Sequence, residues 1–234
     1  MLADPNHAAP ALPARTATGL GVTLVGTAVV ELPYFVVAVR RLGDDGIGPS
    51  RVRFRVRAVR SVDAAGIAGD VVYEHGSDLV RPVRAPLRAG DLTRPGDGSA
   101  RRARVRFTTP TDVRGNGSVP GAAPSFGALL RRARDRASAL ATFFGDGPID
   151  VDARRLGEIA DAVATRSSDV SEAGIVRRSS RTGDRHEVSG VVGSAVYEGD
   201  ALGELLPWLR VAELIGVGKH ATFGAGRIGV DVLG

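Results

Sequence analysis

A glycine-rich segment near the C-terminus has the composition of a phosphate-binding loop. Residues 216–226 read GVGKHATFGAG, two glycine–apolar–glycine triplets with five residues between them. Glycines at this density let the backbone turn tightly, approach a phosphate closely and present consecutive N–H groups to an anion. Two basic side chains within or just after the segment add positive charge. We call residues 216–227 the glycine-rich loop, and its predicted phosphate-binding residues are Gly216, Gly218, Lys219, Gly224, Gly226 and Arg227.

The same loop contains the best candidate for proton transfer, His220. Histidine suits acid–base chemistry near neutral pH because its unperturbed pKa is about 6.5. The alternative is that His220 only binds phosphate or supports the loop. Phe223 either stacks on a base or packs. His186 lies in a basic turn and either contacts RNA or is solvated, and no motif surrounds His75.

Two common nucleotide-binding motifs do not explain these glycines. Gly224 to Gly229 fits G-x-G-x-x-G, but only five residues follow, too few for the helix that this motif requires. Gly218-Lys219 is not a Walker A site, because Glu213 and His220 occupy positions that need glycine and serine or threonine. The remaining alternative is a turn that serves only packing.

Composition narrows the chemistry further. The 234 residues include no cysteine, which excludes disulfides and thiolate zinc sites. The four histidines lack the i,i+4 spacing of a helical metal pair. We therefore expect neither a metal nor a cofactor.

The charge balance favours nucleic acid as a partner. The formal net charge is +5, and Lys219 is the one lysine among 31 basic residues. Arginine offers a planar fork for phosphates and stacks on bases, and excess positive charge attracts nucleic acid without sequence preference. GC-rich coding is the alternative explanation of the arginine bias.

The chain shows no sign of membrane targeting. Its longest apolar runs, such as Val22 to Val30, are too short to cross a bilayer. The N-terminus has an early Asp4, three prolines and no apolar core of a signal peptide. We expect a cytoplasmic protein without membrane contact.

The first part of the chain is predicted to hold a disordered leader, residues 1–18, and a partial ferredoxin-like domain, residues 19–98. A β-α-β order over residues 19–62 matches the second half of such a unit. Residues 84–98 are rich in proline and glycine and predict the domain boundary. The predicted elements are strands at Gly19–Val30, Arg51–Val62 and Asp70–Glu74 and a helix at Leu32–Leu42.

Residues 99–234 are predicted to form a ferredoxin-like (RRM-like) C-terminal domain, so the fold class is α+β. Their order is β-α(α)-β-β-α-β. The predicted strands are Arg102–Thr108, 170–179, 187–197 and Thr222–Val232. The predicted helices are Ser125–Phe144, Asp152–Thr165 and Ala201–Ile215. Arginines alternate along Arg51–Arg57 and Arg102–Arg106, and these faces are either solvated or contact RNA.

The glycine-rich loop closely resembles that of the RAMP superfamily, the repeat-RNA-binding proteins of class 1 CRISPR systems. Further blocks resemble the branch that processes precursor CRISPR RNA, and they occur in family order over roughly residues 20–232. Ile175 to Tyr197 resembles that branch's basic hairpin and following strand, which adds Arg177, Arg178 and Arg181 as predicted RNA-binding residues. The other similar blocks are Leu24–Val56 and Val105–Gly117.

The resemblance implies two ferredoxin-like domains and metal-independent cleavage of CRISPR repeat RNA. A 2′-hydroxyl would attack the neighbouring phosphate and leave a 2′,3′-cyclic phosphate and a 5′-hydroxyl. The resemblance also implies repeat RNA as a partner, with a class 1 CRISPR effector complex as a further one. Many relatives carry the catalytic histidine in the first half of the N-terminal domain, which this sequence does not match; within this chain, His220 is the catalytic candidate.

Three functional hypotheses follow. The first is an endoribonuclease that cleaves CRISPR repeat transcripts. The second is a non-catalytic RNA-binding subunit or truncated remnant that holds RNA through the glycine-rich loop. The third is a protein–protein scaffold without a role in RNA binding.

Overall fold

The computed structural model describes residues 19–48, 50–64, 66–84, 86–92, 94, 97–113, 121–178 and 185–234. Four α-helices and six β-strands lie within these ranges. The helices are α1 (Leu32–Asp45), α2 (Phe126–Phe144), α3 (Ala153–Asp161) and α4 (Leu202–Ile215). The strands are β1 (Ala58–Val62), β2 (Ala68–Glu74), β3 (Arg102–Thr111), β4 (Ala164–Arg178), β5 (Arg185–Glu198) and β6 (Ile228–Leu233).

The C-terminal region forms an antiparallel sheet with strand order β4-β5-β3-β6. The first and third strands of the β-α(α)-β-β-α-β unit are central, and the second and fourth lie at the edges. This is the ferredoxin-like arrangement, so the predicted fold class is confirmed. Helices α2 and α4 pack on one face, and α3 packs beside them.

The two faces of β3 explain how this sheet is covered. Ala103, Val105 and Phe107 are buried in the core, whereas the arginines at 102, 104 and 106 are exposed. Side chains that alternate along a strand point to opposite faces, so the arginines lie on the face away from the helices. The predicted alternation is confirmed here.

Helix α2 supplies one side of the core. Ser125 Oγ accepts a hydrogen bond from the Ala128 N–H at 3.3 Å and caps the helix start, as predicted. The side chain of Phe126 meets the ring of Tyr197 edge-on, with centroids 5.3 Å apart. Burial raises the pKa of Tyr197, and its hydroxyl donates to the Pro124 carbonyl at 2.7 Å. These contacts join α2 to β5.

The predicted strand Gly19–Val30 is wrong. Residues 26–29 form a 3₁₀ turn, and the residues before it are irregular. Gly26 has a φ of +59° and lies directly against the Phe144 carbonyl, where an added Cβ would be 1.7 Å from the oxygen. Thr23 Oγ1 donates to the Leu214 carbonyl at 2.8 Å. The segment therefore packs against α2 and α4 instead of pairing in a sheet.

The predicted strand Arg51–Val62 is confirmed only over its last five residues, where β1 pairs with β2. The Phe54 N–H donates to the Gly43 carbonyl at 3.2 Å, so this stretch follows the end of α1. Alternation predicts an extended chain but does not supply a strand partner. The N-terminal elements are thus a helix and a hairpin, and the domain bounds 19–98 and 99–234 remain a prediction.

Two boundaries in the C-terminal region shift for identifiable reasons. Helix α3 ends at Asp161, short of the predicted Thr165, because Thr165 already pairs with Tyr197 in the β4–β5 ladder. Strand β6 begins at Ile228, because Ala221–Phe223 forms a 3₁₀ turn. Pro207 lies within one continuous α4.

A buried ion network joins α4 and β6 to the turn Asp97–Ser99. Arg210 and Asp97 are only 3% and 1% exposed. Two hydrogen bonds run from Arg210 to the Asp97 carboxylate, Nε to Oδ2 at 3.0 Å and Nη2 to Oδ1 at 2.7 Å. Arg210 Nη1 also donates to the Val230 carbonyl, and Glu213 accepts from the Val230 N–H at 2.8 Å. The network connects three segments that are distant in sequence.

Removing one partner of this network is predicted to destabilise the fold strongly. Asp97→Ala would leave the guanidinium of Arg210 buried without its carboxylate, which costs about 3–5 kcal/mol in comparable pairs. Urea unfolding should show a much lower midpoint for Asp97→Ala. Asp200→Ala removes an exposed carboxylate that pairs with Arg101 and should leave the midpoint unchanged. Equal midpoints for the two variants would contradict this account.

The same pair predicts a loss of stability in acid. Burial alone would raise the pKa of Asp97, but hydrogen bonds from Arg210 and the Arg94 N–H outweigh it and hold the pKa below its ordinary value. Because the pKa is lower in the folded state, ionised Asp97 stabilises the fold at pH values above the unfolded-state pKa of about 3.9. This stabilisation is lost as the pH falls through the folded-state pKa. Urea titrations at pH values between 7 and 3 should show that the free energy of unfolding falls less for Asp97→Asn than for the parent chain.

Candidate functional site

The glycine-rich loop closes on itself and is fixed to the end of β3. The Val217 N–H donates to the Gly226 carbonyl at 2.8 Å and joins the two ends of the loop. The Gly226 N–H donates to the backbone carbonyl of Pro110, and the Lys219 N–H donates to the backbone carbonyl of Asp112, each at 3.0 Å. The loop thus follows α4, precedes β6 and rests on the last residues of β3.

Two glycines permit these close approaches. An added Cβ at Gly226 would lie 1.9 Å from the Val217 carbonyl oxygen, and one at Gly218 would lie 2.3 Å from that of Asp112. Both residues also have φ values in the left-handed region, +69° and +84°. Gly216 and Gly224 have positive φ values too, +76° and +88°. The predicted glycine positions are therefore required by the backbone path.

Most of the predicted anion-binding backbone is already occupied by hydrogen bonds within the protein. The N–H groups of all five residues from Phe223 to Arg227 donate to protein acceptors. Among the described residues, the N–H groups of Gly218, His220, Ala221 and Thr222 have no protein acceptor. The open donors therefore lie between Gly218 and Thr222, on either side of Lys219, and not along the full length of the loop.

His220 occupies an exposed, unusual backbone position. Its φ of +60° is in the left-handed region, which non-glycine residues adopt at a cost of order 1 kcal/mol and which is enriched at functional sites. Its ring centroid lies 6.1 Å from that of Phe223. Phe223 is 61% exposed, so it does not belong to the buried core. Both rings lie at the outer surface of the loop.

The two basic side chains of the loop contact different neighbours. Lys219 Nζ lies 3.6 Å from Asp112 Oδ2, next to α2. The Arg227 guanidinium lies against Gly21, where an added Cβ would be 3.1 Å from Nη1. The Arg227 N–H also donates to Thr109 Oγ1 at 2.9 Å. The loop therefore presents positive charge at both ends and not at a single point.

The predicted hairpin arginines lie at the same end of the sheet as the loop. Arg177 pairs in register with His186 and Arg178 with Arg185, near the tip of the β4–β5 hairpin. Arg181 lies outside the described residues. The hairpin continues six residues past Val191, the partner of Thr111 at the end of β3, or about 20 Å at 3.3 Å per residue.

The arginines on the open face of β3 are partly neutralised. Arg106 Nε lies 2.9 Å from Asp231 Oδ2, and Arg102 Nε lies 3.8 Å from Glu198 Oε2. Arg104 lies between them, on the same face of the strand. This face is therefore less positive than the sequence pattern alone indicates.

A cleft between α2 and the glycine-rich loop was not predicted from the sequence. It has a volume of about 360 Å³. Arg136 lies half-buried within it, and its Nε donates to the Ile215 carbonyl, the last of α4, at 2.8 Å. The available signal was the i,i+4 pair Arg132 and Arg136 beside the apolar stripe of α2. The lining residues are Asp112, Arg132, Asp135, Arg136, Ala139, Leu140, Gly218 and Lys219.

Two features are absent from the described residues. In that part of the chain, no group of three or more histidine, aspartate or glutamate side chains is arranged to hold a metal ion. None of the described helices combines the length and the apolar character needed to span a bilayer.

A match to a protein-family model shows which family the chain belongs to. The family model described as CRISPR-associated endoribonuclease Cas6 matches residues 105–228, which are 124 of the 234 residues. The chain belongs to the Cas6 family. The match runs from β3 to the first residue of β6 and includes the glycine-rich loop. A second model, described as an N-terminal domain, matches residues 2–85.

Solved Cas6 structures are similar to this Cas6-family chain at low identity. The product complex of Cas6 (TTHA0078) is 25% identical, with 57% of this chain and 52% of that chain covered and a TM-score of 0.39. The product complex of Cas6 (TTHB231) is 16% identical, with coverage of 84% and 70% and a TM-score of 0.49. A further structure, Thermus thermophilus Cas6 (TTHB231), is 17% identical, with coverage of 58% and 56% and a TM-score of 0.42.

The chain spans about half the length of the first of these structures. No curated protein matches the sequence.

The close approach at Gly226 predicts a difference between two alanine variants of this Cas6-family chain. Gly224→Ala adds only the strain of a positive φ, because nothing lies within 4 Å of the new Cβ. Gly226→Ala adds both that strain and a clash with the Val217 carbonyl. Urea unfolding should show a loss of about 1 kcal/mol for Gly224→Ala and a clearly larger loss for Gly226→Ala.

Equal losses in the two variants would mean that the Val217–Gly226 contact does not constrain the loop. Amide exchange of Val217, whose N–H donates to Gly226, gives a local readout of the same contact.

Proposed function

We propose that this Cas6-family chain binds CRISPR repeat RNA at the glycine-rich loop and cleaves it without a metal, by attack of a 2′-hydroxyl. The observation that carries the proposal is the arrangement of residues 218–222 of the loop. There, a cationic side chain, an exposed histidine and backbone N–H donors adjoin one another on a rigidly held turn. The Cas6 family match supports repeat RNA as the ligand.

The fixed backbone favours phosphate binding. Donors that are held in place before the ligand arrives lose little conformational entropy on binding. The N–H groups of His220, Ala221 and Thr222 are consecutive, and Lys219 adds an ammonium group beside them. Phosphate accepts such charge-assisted hydrogen bonds readily. Phe223, exposed next to His220, can stack on a base of the same strand.

The proposed reaction is an internal transesterification. The 2′-oxygen forms a bond to the adjacent phosphorus and loses its proton to a base, while the bond to the 5′-oxygen breaks. The departing 5′-oxygen takes up a proton, so the products are a 2′,3′-cyclic phosphate and a 5′-hydroxyl. We assign one of these proton transfers to His220. The ammonium group of Lys219 would stabilise the added negative charge on the phosphorane.

The RNA would extend from the loop toward the β4–β5 hairpin. Both lie at the same end of the sheet, and Arg177 and Arg178 are near the hairpin tip. A path of about 20 Å accommodates several nucleotides. We also propose that the product remains bound and is passed to a class 1 CRISPR effector complex in the cytoplasm.

A second candidate function, RNA binding without cleavage, is favoured by one observation. Catalytic histidines are commonly oriented by a hydrogen bond to their second ring nitrogen. In the described part of the chain, no side chain or backbone group makes such a bond to His220. An oriented imidazole would then require the RNA itself, or a residue beyond the described ones.

Replacing His220 with asparagine separates the two functions. Asparagine tolerates a positive φ and keeps the loop backbone, but it cannot transfer a proton near neutral pH. The expected result is a loss of cleavage of about 10²–10⁴-fold. RNA affinity should remain within a few-fold of the parent. Cleavage is followed with 5′-labelled repeat RNA in EDTA, and affinity is followed with a repeat whose 2′-hydroxyls are replaced by hydrogen.

The variant His75→Asn makes the same change at another exposed histidine, so it serves as the matched control and should leave cleavage unchanged. Cleavage by the parent chain that survives His220→Asn would remove His220 from the mechanism. Tight binding by the parent without any cyclic-phosphate product would favour the second candidate function.

A further inference from the structure

The cleft between α2 and the glycine-rich loop has the features of a second anion site. One wall is helical and contributes Arg132 and Arg136, and the other is the loop, with Gly218 and Lys219. Its volume of about 360 Å³ is sufficient for a phosphate group with attached ribose atoms. The cleft opens beside the loop segment that we assign to RNA binding.

Arg136 is the central group of this cleft. Its Nε donates to the Ile215 carbonyl, and among the described residues its Nη1 and Nη2 atoms have no protein partner. The bond covers the negative end of α4, which would otherwise repel an anion. The guanidinium is therefore fixed through one nitrogen while two others remain available to a ligand.

The acidic residues of the cleft already have basic partners. Asp135 Oδ1 lies 2.7 Å from Arg134 Nη2, and Asp112 Oδ2 lies 3.6 Å from Lys219 Nζ. The lining includes three cationic side chains and two carboxylates, a surplus of one positive charge. Neither of these pairs involves Arg136, so its charge is not offset within the cleft.

Burial makes this charge costly in the absence of a ligand. Burial lowers the pKa of Arg136, because the charged guanidinium is partly removed from water without a compensating carboxylate. An anion bound at Nη1 and Nη2 would offset that cost. Paired nitrogens of a guanidinium match two oxygens of a phosphate.

We propose that Arg136, the Gly218 N–H and Lys219 form a subsite for one phosphodiester group of RNA, beside the histidine-containing part of the loop. The proposal rests on the RNA-binding function proposed above. It adds α2 to the RNA-contacting surface and places a nucleotide between that helix and the loop. Inorganic phosphate shares the same chemistry, so the test must distinguish the two sources.

Arg136→Gln tests the subsite with little effect on packing. The glutamine amide nitrogen occupies the position of arginine Nε along the side chain and can still donate to the Ile215 carbonyl, but Nη1 and Nη2 are lost. Arg154→Gln is the matched control, because it makes the same change of charge at an exposed arginine of α3 paired with Glu158. Affinity for repeat RNA is measured for both over a series of salt concentrations.

The expected result is an affinity about tenfold weaker for Arg136→Gln than for Arg154→Gln. The slope of log affinity against log salt should also fall by about 0.7, as expected for one phosphate contact on a single strand. If the two variants bind with the same affinity and slope, the cleft does not bind a phosphate of the RNA, while the proposed RNA binding stands. If the parent chain does not bind repeat RNA, the proposed function itself fails.

A titration of the parent chain with inorganic phosphate, without RNA, tests whether the cleft binds an anion. It does not depend on the RNA-affinity results or on the folding of any variant. The expected result is saturable movement of the NMR signals of the Gly218 N–H and the Arg136 Nε–H. Absence of this movement would overturn the anion site. Movement combined with unchanged RNA affinity in Arg136→Gln would overturn the assignment to RNA and leave free phosphate as the ligand.

Discussion

The proposed site depends on the backbone contacts that hold the glycine-rich loop against β3. Hydrogen bonds from Gly226 to Pro110 and from Lys219 to Asp112 fix both halves of the loop, and the Val217–Gly226 bond closes it. Further hydrogen bonds within the loop and to β3 engage every N–H group from Phe223 to Arg227, so the N–H groups that remain for a ligand are those of Gly218 and of residues 220–222. One set of bonds thus both supports the site and limits where it lies.

The buried ion network stabilises the elements on either side of that loop. Arg210 and Glu213 belong to α4, which ends just before the loop, and both bond to Val230 in β6, which begins just after it. Asp97 joins the turn Asp97–Ser99, which precedes β3, to the same network through its two hydrogen bonds with Arg210. A network of this kind holds the two ends of the loop at a fixed separation, so the loop conformation is set by the core beneath it.

The sequence predicted the C-terminal domain well because its patterns are locally determined. The alternation on β3, the cap at Ser125 and the glycines that need positive φ are each visible in a few consecutive residues. The failures have a common cause. Residues 19–30 look like a strand but pack against α2 and α4, and Arg136 acquires its role from a contact with Ile215, 79 residues away. Local patterns do not identify such long-range partners.

Amide hydrogen exchange, with and without uncleavable repeat RNA, tests the central claim most directly. In the free protein, the N–H groups of Val217 and of residues 223–227 should exchange slowly, while those of residues 220–222 exchange fast. Binding of RNA should slow exchange at Gly218 and at residues 220–222 and change residues 223–227 little. Fast exchange at residues 223–227 in the free protein, or protection confined to a different surface, would contradict the account.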